Sequence, residues 1–97
     1  MAEIIWAEPA LQDLDEIADY IALYNEEAAQ RLVHKVFDRV EQLLNHPLSG
    51  REIPELEFSV FRELIVPPCR IFYRIENESI YITHIQREEQ NFRNPFF

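Results

Sequence analysis

Arg70, Phe72 and Arg74 alternate along the stretch CRIFYRI, from Cys69 to Ile75. Guanidinium groups beside an aromatic ring suit two kinds of chemistry. They can hold a phosphate and stabilise charge that develops on it, or they can anchor a protein partner, since arginine and aromatic side chains dominate interface hot spots. Phosphate chemistry also needs a group that moves a proton, and His84 in ITHIQRE is the histidine nearest in sequence. Alternation puts His84 on the side of Ile80 and Ile82, as a packed core histidine. Neither His34 nor His46 has a partner at zinc-ligand spacing. Asp13, Asp15, Glu16 and Asp19 crowd one helical stretch, but an oxygen-rich metal site needs further ligands converging from elsewhere, so they read as a solvated face. Cys69, the one cysteine, starts a strand on its core side and reads as a small buried apolar residue. No metal or other cofactor is expected.

The elements that must position these residues can be read from periodicity. Glu3 to Trp6 is a short apolar run that suits a covered strand. Pro9 opens a helix with acid near its N-terminal end, Leu11, Leu14, Ile17 and Ile21 form its apolar stripe, and Asn25 offers a left-handed cap. A second helix runs from about Glu26 to Leu44, its stripe made by Ala28, Leu32, Val33, Val36, Phe37, Val40, Leu43 and Leu44. The loop HPLSGREIPELE is long enough to be mobile or to bind. Three strands follow, from Val60, Cys69 and Ile80, separated by Pro67-Pro68 and by Asn77-Glu78-Ser79. The predicted fold class is α+β in the order β-α-α-β-β-β, a helical hairpin packed on an antiparallel sheet. In the middle strand Ile71, Tyr73 and Ile75 face the helices, and Arg70, Phe72 and Arg74 face outward, leaving Phe72 partly exposed.

Ninety-seven residues predict one domain, 1–97, with one core. A single glycine leaves little room for a phosphate-cradling loop. With one cysteine, no signal-peptide pattern at MAEIIWAE and no apolar run of about 20 residues, a cytoplasmic protein free of the membrane is expected. The net charge of -9 argues against direct tight binding to DNA, which draws on lysine and arginine. Up to Asn45 ten acids stand against three bases, and from His46 on eight stand against six. The second half can therefore still present a local cationic site.

This order of elements resembles the RelE/ParE superfamily of bacterial type II toxins. The phrases EIIWAEPALQDLDEIADYIA, HPLSGREIPEL, FRELIVPPCRIFYRI and ITHIQREEQ are similar to ParE-type members in the family's order. The resemblance implies a toxin that inhibits DNA gyrase by binding it, without chemistry of its own, and that is neutralised by a cognate ParD-like antitoxin. The family also implies a homodimer or a toxin-antitoxin heterotetramer. An acidic antitoxin segment would meet Arg62, Arg70 and Arg74, with its apolar residues on Phe72. The antitoxin- or target-binding residues expected on the open sheet face are thus Arg62, Arg70, Phe72, Arg74 and Arg87.

Two alternatives belong to other classes. RelE-type members are ribosome-dependent mRNA endoribonucleases, and against that branch Arg70 matches a phosphate-contacting arginine, Arg62 lies near a lysine position and Arg87 matches a second arginine. The residue two beyond Arg62 is however Leu64, where that branch has a lysine, and the C-terminal aromatic that stacks on the base is replaced around Arg93. Lys35 is the one lysine in the chain. The other alternative is a toxin-fold binding module without activity. The tail from Gln90, QNFRNPFF, either docks on the domain or awaits the antitoxin.

Overall fold

The computed structural model describes residues 2–96. The elements are β1 (Glu3–Trp6), α1 (Glu8–Ala22), α2 (Glu26–Glu41) with a 3-10 turn at Gln42–Leu44, β2 (Arg51–Glu52), β3 (Phe61–Val66), β4 (Cys69–Glu76) and β5 (Ser79–Arg87). The expected order of helices and strands is present. One element was not foreseen: β2, two residues inside the loop read as irregular, pairs with β3.

The helices form where apolar residues recur at helical spacing. In α1 the buried positions are Ala10, Leu14 and Ile17, with Ile21 packed beside them, while Leu11, expected in the stripe, is exposed. Pro9 and Glu8 occupy the first turn, where a missing N–H is harmless and acid meets the positive end of the helix dipole. In α2 the buried line is Ala29, Leu32, Val36 and Val40, continued by Leu43. The stripe is narrower than periodicity suggested, with Phe37 and Leu44 at its exposed rim. Asn25 does not close α1 in a left-handed conformation. Its backbone is extended and its side chain accepts the Ala28 N–H at 3.0 Å, so it is the N-cap of α2.

The sheet order is β1-β5-β4-β3-β2. Neighbours are antiparallel except β1, which runs parallel to β5 with Glu3 opposite Ser79 and Trp6 opposite Ile82. Both helices cover one face, burying Leu64, Val66, Cys69, Ile71, Tyr73, Ile80, Ile82 and Ile85 against their stripes. The β4–β5 turn uses Asn77 at φ 57°, a left-handed conformation that asparagine tolerates.

One irregularity decides which side chains share a face. Phe72 pairs with His84 but Tyr73 pairs with Ile82, so Thr83 is the extra residue of a β-bulge and donates its hydroxyl to the Phe72 carbonyl at 3.2 Å. The bulge shifts the alternation by one. Ile80, Ile82 and Ile85 all reach the helices, and His84 turns to the opposite face, beside Phe72. The expectation of a core histidine is therefore corrected.

Candidate protein-binding face

The face away from the helices carries Phe61, Glu63 and Ile65 of β3, Arg70, Phe72 and Arg74 of β4, and Tyr81, His84 and Gln86 of β5, by register and alternation. Arg70, Phe72 and Arg74 lie there as the alternation requires. Arg62 and Arg87 do not. Arg62 is opposite Tyr73 and Arg87 opposite Cys69, and both partners belong to the helix-side core, so strand parity carries these arginines to that side. Arg62 donates to the Gly50 carbonyl at 3.0 Å and the Leu48 carbonyl at 3.3 Å, fastening the loop before β2. Arg87 lies 4.7 Å over the Tyr20 ring and 3.1 Å from Glu89. It lines a cleft of about 540 Å³ between α1 and the end of β5, with Asp13, Glu16 and Arg93 among the other walls.

Arg70 is not a free cation. Its Nε donates to Glu63 Oε1 at 2.7 Å, and its two terminal nitrogens grip the Glu55 carboxylate at 3.0 and 2.7 Å. The other oxygen of Glu63 accepts Arg51 Nε at 2.7 Å. Two guanidinium groups and two carboxylates thus form one neutral chain, in which the Glu63 side chain is 0% exposed and that of Arg70 10%. The Glu55 hydrogen bonds push the Arg70 pKa above its ordinary value, against the opposing effect of burial, and Glu63 adds to the rise. The same bonds hold the Glu55 carboxyl below its ordinary value. Arg74 is engaged more loosely, 4.4 Å over the Tyr81 ring and ion-paired with Glu76.

Phe72, expected to be partly exposed, is fully buried. The tail covers it. Phe92 meets Phe72 edge-on at 5.9 Å and sits 5.3 Å from the Arg70 guanidinium carbon. Phe96 stacks on Phe61 at 3.7 Å and meets Phe72 and His84 edge-on, each at 5.9 Å. The Gln86 side chain pins the tail from below, donating to the Arg93 carbonyl at 2.6 Å and accepting its N–H at 3.5 Å. Of the two fates open to the tail, docking is the one observed.

His84 lies half-buried with Nδ1 3.6 Å from Asp13 Oδ2, and that carboxylate oxygen also accepts the Ile85 N–H at 2.9 Å. Asp13 thereby caps the edge of β5 beyond the end of β1. Burial pushes the Cys69 thiol up to about 11, with Glu88 adding to it and Arg87 opposing it, so thiolate chemistry is closed to it. Among the described residues no group of three histidine, cysteine, aspartate or glutamate side chains could hold a metal ion, and no helix is long and apolar enough to cross a membrane.

Residues 4–92 match the family described as the ParE toxin of type II toxin-antitoxin system, parDE. The chain belongs to the ParE toxin family. It is 34% identical over 87 residues to the Toxin RelE2 of Caulobacter vibrioides, covering 89% of this chain and 94% of that toxin. It is also 34% identical over 89 residues to the putative toxin Y4kP of Sinorhizobium fredii, covering 90% of each. Among solved structures it superposes on a chain of the chromosomal ParDE TA system from P. aeruginosa with a TM-score of 0.74 and 28% identity, over 90% of this chain and 96% of that one. A chain of the E. coli DinJ-YafQ complex shares the fold, with a TM-score of 0.60 at 11% identity over 96% and 100% of the two chains.

For this ParE-family chain, sequence reasoning missed Arg51, Glu55, Glu63, Phe61, Phe92, Phe96 and the His84–Asp13 pair. A signal existed for two of them. Alternation in FRELIV places Phe61 and Glu63 on one face, and the tight Pro67-Pro68 turn aligns that face with Arg70 and Phe72. Glu55 and the tail reach the site from irregular segments, where periodicity carries no information.

Proposed function

We propose that this ParE-family toxin inhibits DNA gyrase by binding it, and that a ParD-like antitoxin neutralises it by covering the sheet face built on Arg70, Phe72 and Arg74. The carrying observation is the state of Arg70, whose guanidinium is held by Glu55 and Glu63 beside the Phe72 and Phe92 rings. A desolvated arginine among aromatic rings matches the make-up of a protein-interface hot spot, and with Glu55 and Glu63 in place it presents no free cation to an RNA phosphate. Leu64 is buried in the core, so that position offers no cation either. Support for the antitoxin comes from the P. aeruginosa relative, described as a ParDE TA system. We expect the antitoxin to assemble with this chain as a heterotetramer or to bind a homodimer of it.

A second reading, ribosome-dependent mRNA cleavage, is favoured by one specific observation: the bulge brings His84 to the same face as Arg70 and sets Asp13 beside it. A histidine oriented by a carboxylate is the usual means of moving a proton, worth a factor of roughly 10² to 10⁴ in rate. The deciding experiment adds purified chain to gyrase supercoiling reactions and, in parallel, to a translating extract with end-labelled mRNA. Loss of supercoiling with intact mRNA is expected. Codon-phased cuts that vanish in His84→Ala, with supercoiling unimpaired, would replace the gyrase reading by the nuclease one.

A further inference from the structure

The face assigned above to a partner is already occupied by the chain itself. Glu55 supplies the carboxylate on Arg70, and Phe92 and Phe96 supply the rings on Phe72 and Phe61. We propose that Glu55 and residues 90–96 form a displaceable cover, and that the segment replacing them is a partner peptide that combines a carboxylate for Arg70 with an aryl group for Phe72. This rests on the reading of the sheet face as a protein-binding site and specifies the chemistry and the competition at that site.

The cover is built differently from the core beneath it. Residues 90–96 contain no helix or strand; they are held at their start by two hydrogen bonds between Gln90 and the Arg87 backbone, and beyond it by the Gln86 side chain and by ring contacts. The Glu55 side chain is 40% exposed, against 0% for Glu63 on the same arginine, and it projects from a loop whose only strand is two residues long. Segments with few buried contacts and exposed hydrogen bonds open at low free energy.

Electrostatics sets what can take its place. With Glu55 withdrawn, Arg51 and Arg70 face Glu63 alone and the network carries an uncompensated positive charge, felt at Arg70, whose side chain is 10% exposed against 62% for that of Arg51. An incoming carboxylate restores neutrality in the bidentate geometry that guanidinium prefers. With Phe92 withdrawn, the Arg70 guanidinium loses one of the two rings beside it, each 5.3 Å away, and Phe72 loses its edge-on neighbour, a place that another aryl group can take. The cover competes at the high effective concentration of a tethered ligand, so a partner must supply both groups together to displace it.

The test uses the full chain and a small probe with both groups, 3-phenylpropionate, titrated by amide chemical shift. The samples are the wild type and a variant carrying Glu55→Gln with Phe92→Ala, and 3-phenylpropylamine serves as the cationic control. Saturable shifts at Arg70 and Phe72 are expected in the variant, with an affinity at least about tenfold above that of the wild type and no saturation by the amine. Equal affinity in both proteins, response to the amine as strong as to the acid, or no saturation in a variant whose dispersed spectrum shows it folded would overturn the proposal. If the double substitution unfolds the chain, Phe92→Ala alone is titrated and judged by the same criteria, with a severalfold gain expected. Because gyrase is absent from this titration, its outcome separates from that of the supercoiling reactions.

Discussion

Arg70 is the residue on which the face depends. Replacing it by alanine leaves Glu63 buried with only Arg51 as counter-charge, and removing one member of a buried pair typically costs about 3 kcal/mol or more. Urea unfolding of Arg70→Ala is expected to show a loss of that order, whereas Arg74→Ala, whose partners are partly exposed, should lose less than about 1 kcal/mol. The acid limb of stability tests the same contact. Arg70 holds Glu55 below its ordinary value of 4.5, so the contribution of that pair is complete above about pH 4.5 and is lost as pH falls through the lowered folded value. The urea midpoint should therefore drop on acidification below that pH, and drop less steeply in Glu55→Gln. Alternation within CRIFYRI was enough to place Arg70, Phe72 and Arg74 on one side. It could not show that Phe72 is sealed, because the rings that seal it arrive from 20 or so residues further along.

At the scale of elements, the loop before β2 is tied to the sheet by Tyr73. Its hydroxyl donates to the Pro47 carbonyl at 2.9 Å and accepts the Gly50 N–H at 3.0 Å, and burial raises its pKa. A Cβ on Gly50 would lie 2.4 Å from that hydroxyl and 2.6 Å from the Glu63 carbonyl, so Gly50→Ala should destabilise the fold by about 2 kcal/mol through overpacking. A milder loss of about 1 kcal/mol is expected in Asn25→Ala, which removes the N-cap of α2. Thermal melts of the two variants give the ranking directly. Helices and strands were legible because their apolar periods of 3.6 and 2 are local properties of the chain. The fates of Arg62, Arg87 and His84 were not. A bulge at Thr83 shifts the register of everything after it, and Arg62, whose side follows from its pairing opposite Tyr73 across the Pro67-Pro68 turn, has as partners the carbonyls of a loop without a periodic signal.

At the scale of the whole molecule, an acidic chain of net charge -9 places five of its nine arginines and lysines on the sheet and pairs four of those, Arg51, Arg70, Arg74 and Arg87, with carboxylates. The helices carry the surplus acid into solvent, where Asp15, Glu16 and Asp19 stand exposed, and the sheet face is left apolar and aromatic under a network of balanced charge. Such a surface recognises protein better than polyanion. The central claim is that this face carries the activity of the toxin. It is tested most directly by viable counts after inducing the chain in a bacterial host, alongside Arg74→Glu, which changes the exposed rim of the face and spares the Arg70 network. A fall in counts with the native chain, and recovery to at least about a tenth of uninduced counts with the folded, equally expressed variant, is the expected result. Killing by Arg74→Glu as complete as that by the native chain would contradict it and move the active surface to the helices or to the cleft beside Arg87.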